Sequence, residues 1–299
     1  NGSFQFLITL SSKISGSYDG VWFDQGQAVV TIQAGQTLTI TGLPYGTRYT
    51  VTELDSGAYT VTSENAAGTI GTPNQIVYFH NHLDGPSGLN TEDHYAYLIG
   101  FTDGTIRPEA SITRAEVATI FFRLLKKEVR DGNLTTENIF ADVTNGQWHN
   151  KAISTMAKLG IVKGRRADRF DPDASITRAE FAAICARFNT KPVENSGSFS
   201  DISGHWAENE IERAAAFGWI SGYPDGTFRP DARITRAEAM TMINRVLCRM
   251  PQSESDLLDS MVTWPDNKPS DWHYLAVQEA TNSHDFYRQG EVGESWTKL

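Results

Sequence analysis

The tetrapeptide Thr-Arg-Ala-Glu occurs three times in this chain, at Thr113–Glu116, Thr177–Glu180 and Thr235–Glu238. Each copy lies thirteen residues after a glycine, which is Gly100, Gly164 or Gly222. A threonine followed three residues later by a glutamate, just before an apolar run, is a capping box that begins a helix. A fixed loop length before a repeated helix start indicates that one structural unit was copied three times.

Helical periodicity follows each copy. Apolar residues recur at i, i+3, i+4 and i+7, which gives each helix one buried stripe that also contains Cys185. A second helix, beginning near a tryptophan, is predicted at three places: Trp148, Trp206 and Trp272. Because no such helix precedes Gly100, we expect the C-terminal one to complete the first repeat and close three repeats into a ring.

The arginine of each tetrapeptide lies in the first turn of its predicted helix. Free backbone N–H groups at a helix start favour an anion. An arginine fork adds charge-assisted hydrogen bonds to a carboxylate or a phosphate. The sequence therefore predicts three anion sites, at Arg114, Arg178 and Arg236.

Composition limits the classes of function. The net charge of −10 argues against nucleic acid as the main partner, and no run of about 18 apolar residues indicates a membrane span. The chain begins at Asn1 without a signal peptide, so a secreted protein is expected to be a mature fragment. Cys185 and Cys248 are predicted to be apolar filler. No cofactor or metal site is predicted, because the histidines lack ligand spacing and the Asp-Gly loops lack an EF-hand glutamate.

Residues 1–83 are predicted to be β-structure. Apolar residues alternate in short runs separated by turn signals, at Phe4–Leu10, Ala28–Ile32, Leu38–Ile40, Tyr49–Val51 and Val77–Phe79. This pattern is typical of a β-sandwich, and residues 84–91 have the composition of a linker. The expected fold class is therefore multidomain, with an N-terminal all-β sandwich of the immunoglobulin or prealbumin type and a mainly α C-terminal part.

The repeated motifs resemble the S-layer homology (SLH) module of bacterial surface proteins. The matching signature is an aromatic-x-Asp start, a helix led by tryptophan, Gly-x-x-Asp-Gly-Thr-x-x-Pro, and then Ile-Thr-Arg-Ala-Glu. The resemblance implies a pseudo-threefold SLH spindle around a central three-helix bundle. The implied boundaries are 92–135 for the second half of repeat one, 136–192 for repeat two, 193–250 for repeat three, and 251–299 for the half-repeat that completes repeat one.

The resemblance also implies non-catalytic, extracellular anchoring to the cell wall of a Gram-positive bacterium. The implied partner is a secondary cell-wall polysaccharide of the pyruvylated N-acetylmannosamine type. The three arginines would bind its carboxylate, and the three tryptophans would form groove walls for the sugar. Two glycines and two aspartates would shape the binding loops: Gly100, Gly222, Asp103 and Asp225.

The second repeat departs from this signature. Its loop is Gly164-Arg165-Arg166-Ala167-Asp168-Arg169, so Ala167 replaces the loop aspartate and Asp168 replaces a glycine. We expect that glycine position to need a positive φ, which aspartate adopts only at a cost. The groove that uses this loop is therefore expected to be altered or weak, despite an intact Arg178.

Residues 42–53 resemble the collagen-adhesin B-type (Cna-B) repeat, a stalk domain of Gram-positive surface proteins. In that family a strand lysine can bond covalently to an asparagine, promoted by a glutamate. Glu53 and Asn81 match the last two roles, and both are expected to point inward. Lys13 lies out of phase with Leu10, so either the bond is absent or, as we favour, the lysine-bearing strand lies upstream of Asn1. The alternative is an ordinary sandwich in which Glu53 pairs with a nearby polar group.

Other functions remain open at this point. The repeats could self-assemble as a structural part of a surface layer, or support an adhesin stalk. Grooves that contain acidic residues could also hydrolyse a glycan. We expect no enzyme, because each acidic position already has a role as a helix cap or a turn residue. No oligomeric state is predicted from the sequence, either monomeric or assembled.

Overall fold

The computed structural model describes residues 3–54, 59–71, 74–83, 85–193, 197–289 and 293–299. The chain separates into two compact units, residues 1–84 and residues 85–299. None of the helices within these described ranges is both long enough and apolar enough to cross a bilayer. The first unit is built of strands and the second mainly of helices, which confirms the prediction of a multidomain chain.

The described part of the first unit contains eight strands: β1 (Ser3–Leu10), β2 (Gly16–Tyr18), β3 (Val21–Phe23), β4 (Gln27–Gln33), β5 (Arg48–Glu53), β6 (Tyr59–Glu64), β7 (Ala67–Thr69) and β8 (Tyr78–Leu83). Four of them form an antiparallel sheet in the order β4-β1-β5-β7. β6 pairs with β8 and β2 pairs with β3, each as a two-stranded sheet.

Strand faces that alternate in the sequence meet in one core. Phe6, Ile8 and Leu10 of β1 are buried, together with Tyr49 of β5. The rings of Phe6 and Phe79 have centroids 4.8 Å apart, which brings β8 against the four-stranded sheet. Burial of these apolar surfaces is the main force that holds the sheets together.

One predicted strand is not formed. The prediction of a strand at Leu38–Ile40 is wrong, since residues 34–47 contain no regular strand. The carboxylate of Asp19 instead accepts hydrogen bonds from the backbone N–H and the hydroxyl of Thr41. Ile40 still packs against the core, so the alternation of apolar residues here reflects burial and not strand pairing.

The described part of the second unit contains seven α-helices: α1 (Arg114–Leu124), α2 (Lys127–Asn133), α3 (Asn150–Lys158), α4 (Arg178–Ala186), α5 (Glu208–Ala216), α6 (Arg236–Val246) and α7 (Tyr274–Thr281). The predicted capping boxes begin α1, α4 and α6. The apolar stripes of these helices are buried, including Cys185. None of the seven residues of α2, all described, is buried, and hydrophobic periodicity therefore does not predict that helix.

Backbone hydrogen bonds join the three repeats in a closed cycle. The N–H of Ile112 donates to the carbonyl of Ile234 (3.4 Å), that of Ile234 to Ile176 (3.2 Å), and that of Ile176 to Ile112 (3.1 Å). All three isoleucines are at most 1% exposed. Such a cycle has no first or last member, in contrast to an open stack of repeats.

The C-terminal segment takes part in this cycle. Asp266 accepts hydrogen bonds from the N–H groups of Ile106 and Arg107, as Asp142 and Asp201 do in the other two loops. α7 packs on α6, as α3 packs on α1 and α5 packs on α4. The segment after residue 250 therefore supplies contacts that the first repeat would otherwise lack.

The last residues form a β-hairpin that the sequence analysis does not predict. β10 (Asp285–Gln289) pairs antiparallel with β11 (Gly293–Lys298), and β11 pairs in parallel with the short β9 (Met250–Pro251). Trp296 is buried in a cluster with Leu257 and Tyr274. The segment predicted as a half-repeat thus contains a three-stranded sheet as well as a helix.

Candidate ligand-binding sites

The three tetrapeptide arginines are buried, each with 5% of its surface exposed. Arg114 donates from Nε to the carbonyl of Phe170 (2.8 Å) and from Nη2 to the carbonyl of Lys163 (2.9 Å). Its Nη1 lies 2.8 Å from a carboxylate oxygen of Glu180. The arginine of one repeat therefore pairs with the capping-box glutamate of the next.

The other two arginines repeat these contacts. Nη1 of Arg178 lies 3.2 Å from Glu238, and Nη1 of Arg236 lies 3.3 Å from Glu116. In both cases Nε donates to a loop carbonyl. Each glutamate thus caps its own helix and also serves as the counter-ion of an arginine from another repeat.

Burial and charge act in opposite directions on these pairs. Burial lowers the pKa of the Arg114 and Arg236 guanidinium groups, against the opposing charges of their glutamates. Burial also acts to raise the pKa of Glu180, but the hydrogen bond from Arg165 and the charge of Arg114 outweigh it, and the pKa is lowered. Glu180 is therefore ionised at neutral pH, between two arginines.

The first N–H groups of α1, α4 and α6 are already occupied. At α6 the capping box satisfies the N–H groups of Thr235 and Glu238, and the two residues between them donate to the carbonyls of Ala110 and Pro108. α1 and α4 have the same arrangement. The prediction that free N–H groups at these helix starts favour an anion is therefore wrong, because neighbouring repeats supply the acceptors.

The three tryptophans that lead the second helices lie at the surface, where Trp148 is 64%, Trp206 59% and Trp272 64% exposed. Tryptophan is highly buried on average in folded proteins. A histidine flanks each tryptophan: His149 and His273 follow theirs and are buried, whereas His205 precedes Trp206. His149 and His273 are the N-cap residues of α3 and α7, and the indole rings face solvent.

One turn connects the histidine beside each tryptophan with the backbone of one of the three arginines. His273, next to Trp272, lies 3.4 Å from Glu109, and the N–H of Arg236 donates to the carbonyl of Ala110. In the second pair His205 lies 3.5 Å from Asp231, and the N–H of Arg178 donates to the carbonyl of Ala232. In the third pair His149 interacts with Asp173 through its charge, and the N–H of Arg114 donates to the carbonyl of Ala174. We name the resulting sites by their arginines: the Arg114 site with Trp148, the Arg178 site with Trp206, and the Arg236 site with Trp272.

Gly100 and Gly222 permit close packing of an aromatic ring. A Cβ on Gly222 would lie 2.5 Å from Cε1 of Phe199 and 2.6 Å from the carbonyl oxygen of Thr227. A Cβ on Gly100 would overlap the ring of Trp264. The aromatic residue of each aromatic-x-Asp start therefore packs against the loop glycine.

Asp103 and Asp225 shape their loops from within. One oxygen of Asp225 accepts from the N–H (3.0 Å) and the hydroxyl (2.6 Å) of Thr227, and the other accepts from Arg229 (2.8 Å). These hydrogen bonds lower the pKa of Asp225 to about 2. Asp103 makes the equivalent bonds in its own loop, and its pKa is also lowered to about 2.

The loop of the second repeat folds differently. Arg166 and Arg169 exchange backbone hydrogen bonds around a two-residue turn made of Ala167 and Asp168. The φ of Asp168 is not in the left-handed region. The predicted strain at this position is therefore wrong, because the loop forms another turn instead of forcing aspartate into the conformation of glycine.

This loop faces Arg114, and the prediction that pairs it with Arg178 is also wrong. Arg165 donates to both oxygens of Glu180, at 2.7 and 2.9 Å, and so joins Arg114 at the same carboxylate. Arg178 instead meets the regular loop of the third repeat, where its Cζ lies 4.8 Å from the ring centroid of Tyr223.

Sequence reasoning missed a second arginine, nine residues after each tetrapeptide arginine: Arg123, Arg187 and Arg245. Nη1 of Arg245 donates to the hydroxyl of Ser221 (2.7 Å), whose carbonyl accepts from Arg178. Burial, and then the charge of Arg178, lower the pKa of Arg245. Two neighbouring repeats thus bring two arginines to the Arg178 site, and the repeated spacing in the sequence is the signal for them.

In the first unit, Glu53 lies on the half-buried face of β5 and Asn81 on the half-buried face of β8. Oδ1 of Asn81 is buried without a hydrogen-bond partner among the described residues. Lys13, the only lysine of this unit, is exposed and follows β1. An isopeptide-type role for Glu53 and Asn81 stays a prediction.

Four further residues, which no sequence motif connects, come together in the second unit. His94, Glu279, His284 and Glu294 are buried, and one ligand-type atom from each lies within 4.8 Å of the others. Because 190 residues separate the two histidines, motif spacing could not reveal them, and the sequence analysis predicts no metal site.

Comparison with known families and proteins agrees with this architecture. The S-layer homology domain matches residues 97–118, 139–182 and 198–240. A domain of unknown function, DUF7601, matches residues 1–83. The chain is a bacterial cell-surface protein that contains three copies of the S-layer homology domain.

Curated relatives carry the same repeats. The chain is 36% identical over 229 residues to Cell surface glycoprotein 1 of Acetivibrio thermocellus, an alignment that covers 72% of this chain and 10% of that protein. It is 36% identical over 219 residues to the Cellulosome-anchoring protein of the same organism, covering 71% and 48%. It is 34% identical over 170 residues to the S-layer protein of Bacillus licheniformis, covering 54% and 19%. The chain therefore spans about half the length of these relatives or less.

Proposed function

We propose that the second unit anchors this protein to the bacterial cell wall, without catalysis, by binding a secondary cell-wall polysaccharide. The names of two relatives, a cellulosome-anchoring protein and an S-layer protein, support this role. The ligand we propose carries a carboxylate, as pyruvylated N-acetylmannosamine does. The closed cycle of repeats supports the spindle around a central three-helix bundle, with residues 251–299 completing the first repeat.

The observation that carries the proposal is the exposure of three equivalent tryptophans. An indole ring offers a large apolar area, and covering it stabilises a complex by several kcal/mol at about 25 cal/mol per Å². The flat face of the ring matches the apolar face of a sugar. Three such rings, each connected through one turn to a buried arginine, are the three places where we propose that a charged glycan binds.

The arginines supply the charge and the geometry. A guanidinium has five N–H donors, and the contacts of Arg178 with Phe228, Glu238 and Ser221 use Nε, Nη1 and Nη2 once each. Two N–H groups remain for a ligand carboxylate. Because protein contacts already fix the guanidinium, little side-chain entropy is lost on binding. Arg245 adds a second positive charge that offsets the nearby glutamate.

The acidic residues of these sites support binding better than hydrolysis. A general acid needs a carboxyl group with a pKa near the working pH, whereas the carboxyl of Asp225 has a pKa of about 2. Glu180 is held ionised by two arginines. Acid–base chemistry on a glycan is therefore not what these groups are tuned for.

We propose that the first unit, residues 1–83, is a Cna-B-like β-sandwich stalk, joined by residues 84–91 to the repeats. The enclosed core and the four-stranded sheet support a sandwich. If Glu53 promotes a bond between Asn81 and a lysine, the intact mass will be lower by one ammonia. An unchanged mass would show that Asn81 forms no such bond to a lysine within this chain.

Pelleting of the purified chain with Gram-positive wall sacculi tests the anchor. We expect binding to intact sacculi and loss of binding after hydrofluoric acid removes the secondary polymers. Binding that survives this treatment would point to peptidoglycan instead. Self-association without any wall binding would favour a structural role in a surface layer.

Tryptophan variants test the sites without disturbing the core. We expect Trp206→Ala and Trp272→Ala each to weaken glycan binding roughly tenfold, equivalent to about 1.4 kcal/mol. The matched control is Trp22→Ala, since Trp22 is 66% exposed and lies in the first unit. Equal binding by all three variants would remove the tryptophans from the site.

A further inference from the structure

A second polar cluster lies where the beginning and the end of the second unit meet. His94 follows the linker, Glu279 lies on α7, His284 precedes β10, and Glu294 lies on β11. The side chains of all four residues have no exposed surface. Burying two carboxylates and two imidazoles is costly unless they have partners.

The nitrogens of the two histidines lie 3.0 to 3.6 Å from each other and from oxygens of both glutamates, with a different oxygen of Glu279 facing each histidine. Nδ1 of His94 lies 3.0 Å from Nε2 of His284, 3.6 Å from Oε1 of Glu279 and 3.3 Å from Oε1 of Glu294. Nε2 of His284 lies 3.3 Å from Oε2 of Glu279 and 3.4 Å from Oε1 of Glu294. Four ligands at about 2.0–2.1 Å from one zinc ion are about 3.3–3.4 Å apart.

Hydrogen bonds leave part of this cluster unsatisfied. Oε1 of Glu279 and Oε2 of Glu294 are buried without a hydrogen-bond partner among the described residues. Oε1 of Glu279 points at the ring of His94, at 3.6 Å. Oε2 of Glu294 faces Arg288, whereas Oε1 of Glu279 faces the cluster. Native proteins pair nearly all buried polar atoms, so Oε1 of Glu279 points to a ligand.

Outer contacts orient the side chains as they do around metal ions. Nδ1 of His284 lies 3.0 Å from the carbonyl of Asn282, which places its proton there and turns the lone pair of Nε2 inward. Trp296 donates from Nε1 to Glu279 (3.0 Å). The His284 ring stacks on Trp296, with centroids 4.1 Å apart. Such contacts fix both the tautomer and the direction of a ligating histidine.

Two arginines balance the carboxylates from outside. Nη1 of Arg288 lies 3.6 Å from Oε2 of Glu294. Arg249, which interacts with both glutamates through its charge, is held by the carbonyls of Asp93 and Tyr95. The oxygens that face the histidines are left for another cation.

We propose that His94, Glu279, His284 and Glu294 bind one zinc ion. Zinc binds histidine nitrogen and carboxylate oxygen, and four protein ligands with no open position are the arrangement of a structural zinc site, whereas calcium and magnesium prefer oxygen ligands. The ion would join the segment around His94, at the start of the second unit, to α7 and to the hairpin of β10 and β11 at its end. A cavity of about 510 Å3 lies beside the cluster, and both histidines are among the residues that line it.

Metal content is the first test. The untagged full chain is treated with a chelator, dialysed, and titrated with zinc. We expect one zinc ion per chain by elemental analysis, and a Tm higher by roughly 4 °C or more at saturation. No stoichiometric zinc in the folded wild-type chain would overturn the proposal.

Cobalt gives a readout that needs no variant. Cobalt(II) in a tetrahedral site of nitrogen and oxygen ligands has strong visible absorption, and an octahedral aqueous ion does not. We expect the band to saturate at one equivalent and to disappear when zinc is added. Absence of the band, or a band that zinc does not displace, would contradict a tetrahedral site.

Matched histidine variants locate the ion. His94→Gln and Glu294→Gln are expected to lower zinc affinity at least about tenfold and to abolish the cobalt band. The control is His273→Gln, because His273 is also buried but lies outside the cluster, beside Asn267 (2.9 Å). Equal loss in the control and in the cluster variants would show that the ion binds elsewhere.

Discussion

The Arg114 and Arg178 sites use the same tetrapeptide but surround the guanidinium differently. In the Arg178 site, Tyr223 lies over the guanidinium and donates its hydroxyl to the paired glutamate at 3.2 Å. In the Arg114 site, Arg165 takes that position and donates to the paired glutamate twice. Glu238 is therefore paired with one cation and one tyrosine hydroxyl, whereas Glu180 is paired with two cations.

The difference separates two roles within one repeat. The tetrapeptide makes the same contacts in both sites, with loop carbonyls and with the glutamate of the next repeat. These contacts hold the ring of repeats together. The loop varies, and with it the charge and the aromatic surface that a ligand meets. The tetrapeptide thus holds the repeats together, and the loop determines the surface that a ligand would meet.

The largest expected effect comes from removing the buried arginine. Arg178→Ala is expected to destabilise the second unit by about 3 kcal/mol, because breaking a buried pair leaves a carboxylate uncompensated. Arg114→Ala is expected to cost about 1 kcal/mol less, because Arg165 still binds Glu180. Thermal unfolding followed by helical circular dichroism measures both. Equal losses would mean that Arg165 does not compensate.

The loop glycines should be less costly to change, and all repeats should need them. Gly222→Ala and Gly164→Ala are each expected to cost about 2 kcal/mol through overpacking, since either Cβ would lie 2.5 Å from another atom. The control is Gly132→Ala in α2, where a Cβ has free space and helix propensity favours alanine by about 1 kcal/mol. Tolerance at Gly164 alone would show that its loop can relax.

Substitutions at the turn residues of the second and third repeat loops are expected to change the free energy of unfolding by a smaller amount. Gly226 has a φ of +78°, so Gly226→Ala is expected to cost about 1 kcal/mol. Asp168→Gly should bring no gain and should cost a few tenths of a kcal/mol, because it only adds freedom to the unfolded chain. Denaturant unfolding of both variants gives the comparison. Stabilisation by Asp168→Gly would restore the idea of a strained aspartate.

The smallest effect is expected in acid. The pKa of Asp225 is lowered to about 2 in the folded protein, from about 3.9 in an unfolded chain. Its contribution to stability is therefore complete above about pH 4 and is lost as the pH falls towards 2. Asp225→Asn should flatten the pH dependence of stability in this range. Carboxyl NMR titration of the wild type should find the midpoint near 2, and a midpoint near 4 would contradict the loop hydrogen bonds.

Local sequence patterns predicted the elements that depend on local physics. Three capping boxes and the alternation of β1 gave the helix starts and a buried strand face, because both depend on residues close in the chain. Leu38–Ile40 failed because Asp19, distant in sequence, supplies the hydrogen-bond partner of Thr41. Local alternation cannot report such a contact.

The site required information from other repeats. The sequence placed an arginine and a glutamate in every copy, but not the pairing of Arg114 with Glu180 across a repeat boundary. It also placed the second-repeat loop beside the wrong arginine. The cluster around His94 and His284 depends on a contact between distant segments, and no periodicity encodes it.

The cycle of backbone hydrogen bonds through Ile112, Ile176 and Ile234 has a mechanical consequence. In an open stack, an end repeat can peel away while the others stay folded. Here each isoleucine both donates and accepts, so opening one repeat breaks two seams at once. Under tension, the second unit is expected to resist until the whole ring yields in a single event, rather than lengthening step by step.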